Sequence, residues 1–97
     1  MLRILLVDDE KYAIEGLISM LNWDCFQGEL VGTASSGEEA LALLESVHPD
    51  VIISDIKMGG MNGIELAKRV HEKQKQIQVI LLTAHGEFEY ARQAIRY

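Results

Sequence analysis

The stretch Val51-Ile52-Ile53-Ser54-Asp55 decides how this chain folds. Three consecutive apolar residues, two of them isoleucine, read as a short strand buried on both faces. An unpaired carboxylate is expensive to bury, so Asp55 directly after such a run makes no sense as ordinary packing. It does make sense at the C-terminal end of a parallel strand, where open α/β sheets place their reactive groups. The rest of the chain is then expected to bring a cation and hydrogen-bond donors to Asp55.

On the N-terminal side, Arg3-Ile4-Leu5-Leu6-Val7 is a second run of buried-strand character, closed by Asp8-Asp9-Glu10. Ile14, Leu17, Ile18 and Leu21 then recur at i, i+3, i+4 and i+7, the spacing of an amphipathic helix. A loop with Cys25 and Gly28 follows, in which Trp23 and Phe26 read as packing at the end of that helix. Leu30-Val31-Gly32-Thr33-Ala34 is a weaker, edge-like strand. Ser36-Gly37-Glu38-Glu39 is a capping box that starts a helix carrying Leu41, Leu44 and Val47, and Pro49 ends it.

On the C-terminal side, Met58-Gly59-Gly60-Met61 reads as a flexible loop. Asn62 with Glu65 forms a second capping box, for a helix with Ile64, Ala67 and Val70 on its inner face. Gln78 to Thr83 is a fourth strand, and Glu87 to Tyr97 reads as a helix with Phe88, Ala91, Ala94 and Ile95 apolar. Four βα units in succession imply an α/β fold, a doubly wound parallel sheet with right-handed crossovers and helices on both faces. With strand two outside strand one, the order is 2-1-3-4 and the topological switch falls between strands one and three. A ligand is expected there, beside Asp8, Asp9, Asp55 and Thr83.

The composition narrows the partners. The 97 residues fit a single domain, and 48% hydrophobic with 25% charged residues is ordinary for a globular protein. Nine basic against 15 acidic residues give a net charge of −6, which argues against direct binding to nucleic acid or an anionic membrane. Cys25 is alone, so there is no disulfide framework, and a reduced cytoplasmic setting is expected. The N-terminal apolar run is too short for a signal peptide, and no stretch is long enough to span a membrane.

Three carboxylates facing one crevice repel one another unless a cation neutralises them. Oxygen ligands with room for water suit Mg²⁺ or Mn²⁺. A carboxylate is also a competent nucleophile towards a phosphoryl group, giving an aspartyl phosphate, and Thr83 could donate its hydroxyl to a phosphoryl oxygen. Simpler readings compete. Acidic residues favour helix N-termini, which accounts for Glu10 and is a fair account of Asp9. It does not explain Asp8 and Asp55, each at the end of an apolar strand. Thr83 taken alone is equally well an ordinary strand residue. His48, His71 and His85 lack metal-ligand spacing, and of these only His85 lies near the site. Lys57 reads as solvated, although its backbone carbonyl could face a metal.

Taken together, Val7-Asp8-Asp9-Glu10, Ile53-Ser54-Asp55-Ile56-Lys57-Met58, Gly60-Met61-Asn62-Gly63 and Leu82-Thr83-Ala84 resemble the receiver domain of bacterial two-component response regulators. The resemblance covers residues 1–97 in order and implies a flavodoxin-like receiver fold. It implies that Asp55 accepts phosphate from the phosphohistidine of a sensor kinase. Asp9, Asp55 and the Lys57 carbonyl would contact Mg²⁺ directly and Asp8 through water. Thr83 would be the switch hydroxyl, with Met58, Ala84 and His85 near the site. The Leu21-Asn22-Trp23 loop and Glu87-Phe88-Glu89-Tyr90-Ala91 resemble receivers that precede an AraC-type DNA-binding domain, so DNA would be reached only through such an output domain.

The sequence departs from that family in three places. Gly59 stands where proline is usual, so a looser loop is expected. Asn62 stands where aspartate is common, and either residue caps a helix. The family's fifth strand and helix, with a phosphoryl-contacting lysine, are not in this sequence. Val79 to Leu82 is therefore expected to form an exposed edge, with self-association through it or through the last helix. Other readings stay open: an interaction or dimerisation module without phosphotransfer, or a Mg²⁺-dependent phosphatase of the haloacid dehalogenase type, whose acid pair Asp8 and Glu10 only loosely imitate. An FMN binder is disfavoured, because two aspartates would repel its phosphate.

Overall fold

The computed structural model describes residues 1–25 and 27–82. The expected packing of Phe26, the helix from Glu87 to Tyr97, and the roles given to Thr83, Ala84 and His85 lie outside the described residues. Seven elements alternate within them: β1 (Leu2–Val7), α1 (Lys11–Met20), β2 (Gly28–Ala34), α2 (Gly37–Val47), β3 (Val51–Asp55), α3 (Gly63–Lys73) and β4 (Gln78–Leu82). The strands form one parallel sheet in the order β2-β1-β3-β4. This is the expected order, with its switch between β1 and β3.

Alternation along the strands divides the core between the two faces of the sheet. Leu5, Val7 and Ile52 face α2 and α3, where Leu44, Leu66, Ala67 and Val70 complete a fully buried cluster. Ile4, Leu6, Val51 and Ile53 face α1. That helix has no fully buried residue: Ile14, Leu17 and Ile18, the residues of its apolar stripe, are half-buried, as is Leu21 just beyond its end. Trp23 closes this side by packing on the same cluster and donating its indole N–H to the Ile18 carbonyl at 2.9 Å.

Both helix starts keep the expected N-cap, but the glutamate of each capping box turns to a different partner. Ser36 Oγ accepts the Glu39 N–H at 3.1 Å, but the Glu39 carboxylate returns to the N–H of Ser35, at 3.0 Å, one residue earlier than a capping box requires. Asn62 Oδ1 accepts the Glu65 N–H at 2.8 Å, while the Glu65 carboxylate pairs with Arg69 at 3.3 Å. α2 ends on His48 in the left-handed conformation (φ 48°), just ahead of Pro49. β2 begins two residues before the expected start, and its register with β1 shifts between Ile4 and Leu5. Among the described residues β4 is the second edge of the sheet. Its Val79 and Leu81 are buried, whereas Ile80 and Leu82 keep 48% and 38% of their surface exposed.

Candidate functional site

Strand register builds the site. Val7 pairs with Ser54, so the next residue of each strand, Asp8 and Asp55, emerge side by side at the C-terminal edge of the two central strands. Asp9 follows in the β1–α1 loop. One carboxylate oxygen from each of Asp8, Asp9 and Asp55 lies within 4.8 Å of the other two. The residues picked from two separate stretches of sequence thus meet in one place.

The three acids differ in surroundings. Asp8 is 7% exposed, Asp55 is half-buried and Asp9 is exposed. Burial pushes the Asp8 carboxyl above its ordinary value of 3.8, and the negative charges of Asp55, Asp9 and Glu10 push the same way. The Glu10 N–H works against them by hydrogen-bonding the ionised form. A carboxyl pushed up by burial and by the negative charges around it is an arrangement that a divalent cation would relieve. The donor set, all oxygen and partly open to water, fits a hard cation such as Mg²⁺.

Each carboxylate is oriented by a backbone N–H. Asp8 Oδ1 accepts from Glu10 at 2.9 Å and Asp55 Oδ1 from Ile56 at 2.8 Å. Asp9 Oδ2 accepts from Gly59 at 3.1 Å, across from the β3–α3 loop. The local pairs were legible in principle, because an aspartate commonly turns back on an N–H close by in the chain. The Gly59 contact was not, since 50 residues separate the partners. Where the sequence led to an expectation of slack, Gly59 is tied to Asp9.

The β3–α3 loop is anchored on both sides of that contact. Met58 and Met61 are buried, and Met61 lies so close over Gly37 at the start of α2 that a Cβ there would meet its Sδ at 2.8 Å. Gly60 between them has φ 76°, a left-handed conformation that favours glycine. Beneath the loop, the Gly63 N–H donates to the Ile56 carbonyl at 2.8 Å, and a Cβ on Gly63 would collide with the Asp55 carbonyl oxygen. Lys57 is exposed in this loop two residues beyond Asp55. Beside the acids, a groove of about 420 Å³ opens between α1 and the end of β2, lined by Ile14, Ile18, Thr33 and Ser35 among others. No described helix is long and apolar enough to cross a membrane.

Comparison with known proteins points the same way. Residues 4–97 match the family model described as the response regulator receiver domain. The chain is 39% identical over 97 residues to the transcriptional regulatory protein YesN of Bacillus subtilis, covering all of this chain and 26% of that protein. The chain therefore spans about a quarter of the length of this curated relative. Among solved structures it is similar to the REC domain of AraT, a response regulator from Geobacillus stearothermophilus. That similarity has a TM-score of 0.85 and 38% identity over 98% of this chain and 74% of that one. It is also similar to a chain in a complex of CheX and CheY with BeF3 and Mg²⁺ from Borrelia burgdorferi. Here the TM-score is 0.83, with 25% identity over 98% of this chain and 71% of that one.

Proposed function

From the premise that this chain belongs to the response regulator receiver domain family, we propose that Asp55 is its phosphoacceptor and that Asp8, Asp9 and Asp55 form its Mg²⁺ pocket. The convergence of the three carboxylates within 4.8 Å at the switch point of the sheet carries this reading. The solved relative whose complex holds BeF3 and Mg²⁺ supports it. Mg²⁺, or Mn²⁺, would be held by Asp9, Asp55 and the Lys57 carbonyl, with Asp8 acting through water. When bound, the ion would neutralise the acids and the incoming phosphoryl oxygens.

The chain's own residues do the rest. The Ile56 N–H on Asp55 Oδ1 fixes the carboxylate plane and leaves Oδ2 as the attacking atom. Attack on the phosphorus of a kinase phosphohistidine forms the O–P bond and breaks the P–N bond. The imidazole leaves with the bonding electron pair and takes a proton from water. Asp55 is consumed as an acceptor, so the domain modifies itself rather than turning over a substrate. Thr83 is proposed as the switch hydroxyl, with Ala84 and His85 close by. An AraC-type DNA-binding output is proposed for the whole protein; the name of YesN, a transcriptional regulatory protein, supports the transcriptional part of that reading.

The test is acetyl phosphate with Mg²⁺, followed by intact mass. One added phosphoryl group that disappears in Asp55→Asn is expected. No gain, or an equal gain in Asp55→Asn, rejects the reading. A second proposal rests on β4, whose exposed Ile80 and Leu82 border an edge of the described sheet: two copies pair there. Light scattering that shows a monomer at all concentrations rejects that pairing.

A further inference from the structure

Resting on the reading of the three aspartates as a divalent-cation pocket, we propose that Gly59 is a positioning residue whose backbone N–H holds Asp9 in the pocket and ties the β3–α3 loop to its occupancy. Of the three backbone donors, those on Asp8 and Asp55 come from within two residues and move with the acid they hold. The Gly59 donor reaches Asp9 from a loop 50 residues away, so this bond joins two otherwise separate segments.

Asp9 is also the acid that most needs holding. Like charges within 4.8 Å repel, and the exposed member can escape by rotating into water. Asp8 is confined by burial, and Asp55 is half-buried. A charge-assisted N–H bond opposes the departure of Asp9. Each time it forms, it draws the loop between the buried Met58 and Met61 towards β1. Because Met61 rests on Gly37, loop position is passed on to the start of α2.

The side chain at position 59 has no part in this. A Cβ there would meet nothing within 4 Å, and the left-handed conformation is taken by Gly60, not Gly59. What position 59 supplies is the N–H, which every residue except proline carries. The bond to Asp9 is therefore an addition of this chain that receivers with the usual proline lack, and Gly59→Pro removes that addition.

That separates the variants. The 97-residue chain and its Gly59→Ala and Gly59→Pro variants are titrated with Mg²⁺ by calorimetry, with circular dichroism as the check on folding. Gly59→Ala is expected to bind within about twofold of the parent and Gly59→Pro about tenfold more weakly, the size of one charge-assisted hydrogen bond. In parallel, amide exchange of the parent is followed by NMR. The Gly59 amide is expected to be protected and to lose protection in Asp9→Ala, while the Ile56 amide keeps its own. A folded Gly59→Pro that binds Mg²⁺ as tightly as Gly59→Ala overturns the proposal. Should Gly59→Pro fail to fold, a Gly59 amide that exchanges equally fast in the parent and in Asp9→Ala overturns it. Absence of Mg²⁺ binding in the parent itself is a different result: it rejects the cation pocket and this inference with it.

Discussion

The two ends of the sheet are built on opposite electrostatic plans. At the N-terminal end, Arg3 and Asp50 close the strands with complementary groups. The Arg3 N–H donates to Asp50 Oδ2 at 2.9 Å and the Asp50 N–H returns to the Arg3 carbonyl at 2.7 Å. The Arg3 guanidinium reaches the Val47 and His48 carbonyls at 2.6 and 3.1 Å, where the last turn of α2 exposes its acceptors. The Gln78 N–H joins β4 to the Asp50 carbonyl at 3.1 Å. At the C-terminal end three carboxylates gather, each held by a neutral backbone N–H. One end pairs donors with acceptors across strands and helix and so ties the fold together. The other accumulates repulsion that binding can release, which is where functional strain is expected.

The largest expected effect comes where the repulsive end is locked from below. Gly63→Ala would drive a Cβ into the Asp55 carbonyl oxygen and bring it within 2.9 Å of Leu81 Cδ2 and 3.0 Å of Ile56 Cα. Two of these neighbours are backbone atoms that cannot rotate away. A loss on the order of 3 kcal/mol is expected from such overpacking, measured by urea unfolding. A small change would mean that the acids sit on a backbone that yields, and the contrast between the ends would weaken.

At the opposite end, Arg3→Ala removes the donors from the Val47 and His48 carbonyls. The side chain is 41% exposed, so water takes over part of what is lost. A loss of about 1–2 kcal/mol is expected, below the full sum of two charge-assisted bonds. Hydrogen exchange should rise first in the final turn of α2. Unchanged exchange there would show that the closure is decorative.

These two sites also mark where the sequence was readable and where it was not. Asp55 and Asp8 were legible because a carboxylate after an apolar run has few physical explanations. The parallel, doubly wound sheet followed from alternating periodicity and handedness, and its order from placing strand two outside strand one. The Ser36 and Asn62 caps were legible from spacing, but the return of Glu39 to Ser35 was not, since either serine satisfies the pattern. Arg3 read only as the polar start of a strand. Its role depends on Val47 and His48, which are 44 and 45 residues away and brought near by tertiary packing. Gly59 illustrates the same limit. Its sequence meaning is looseness, and its structural meaning is one N–H aimed at Asp9.

A smaller effect of opposite sign is expected at Asp8. Its carboxyl titrates above the ordinary 3.8 in the fold, first because burial disfavours the charge and then because Asp55 and Asp9 repel it. Between the unfolded and folded values the folded state holds the proton more tightly. Stability is therefore lost as pH rises through the folded value, and the penalty is absent below 3.8. Asp8→Asn removes the charge and keeps an oxygen for the Glu10 N–H. In metal-free buffer at neutral pH it should raise Tm by on the order of 4 °C, and below the ordinary aspartate range by almost nothing. Added Mg²⁺ should stabilise the parent and do less for the variant, as linkage requires of a ligand that binds only the folded state. A variant that is no more stable than the parent at neutral pH would mean that the three acids do not strain one another.

The smallest effect tests whether charge pairing as such secures the N-terminal end. Glu29 on β2 approaches Arg3 Nη1 at 3.9 Å, with the two side chains 49% and 41% exposed. At that distance and exposure the pair is separated by little more than solvent, and such pairs contribute roughly 0–1 kcal/mol. Arg3 keeps its bonds to the Val47 and His48 carbonyls whether or not Glu29 is charged. Glu29→Gln should therefore change the unfolding free energy measured in urea by less than about 0.5 kcal/mol, and added salt should remove even that. A shift as large as that of Arg3→Ala would invert the account. The closed end would then depend on long-range charge balance, like the acidic end, rather than on directed hydrogen bonds to the carbonyls of α2.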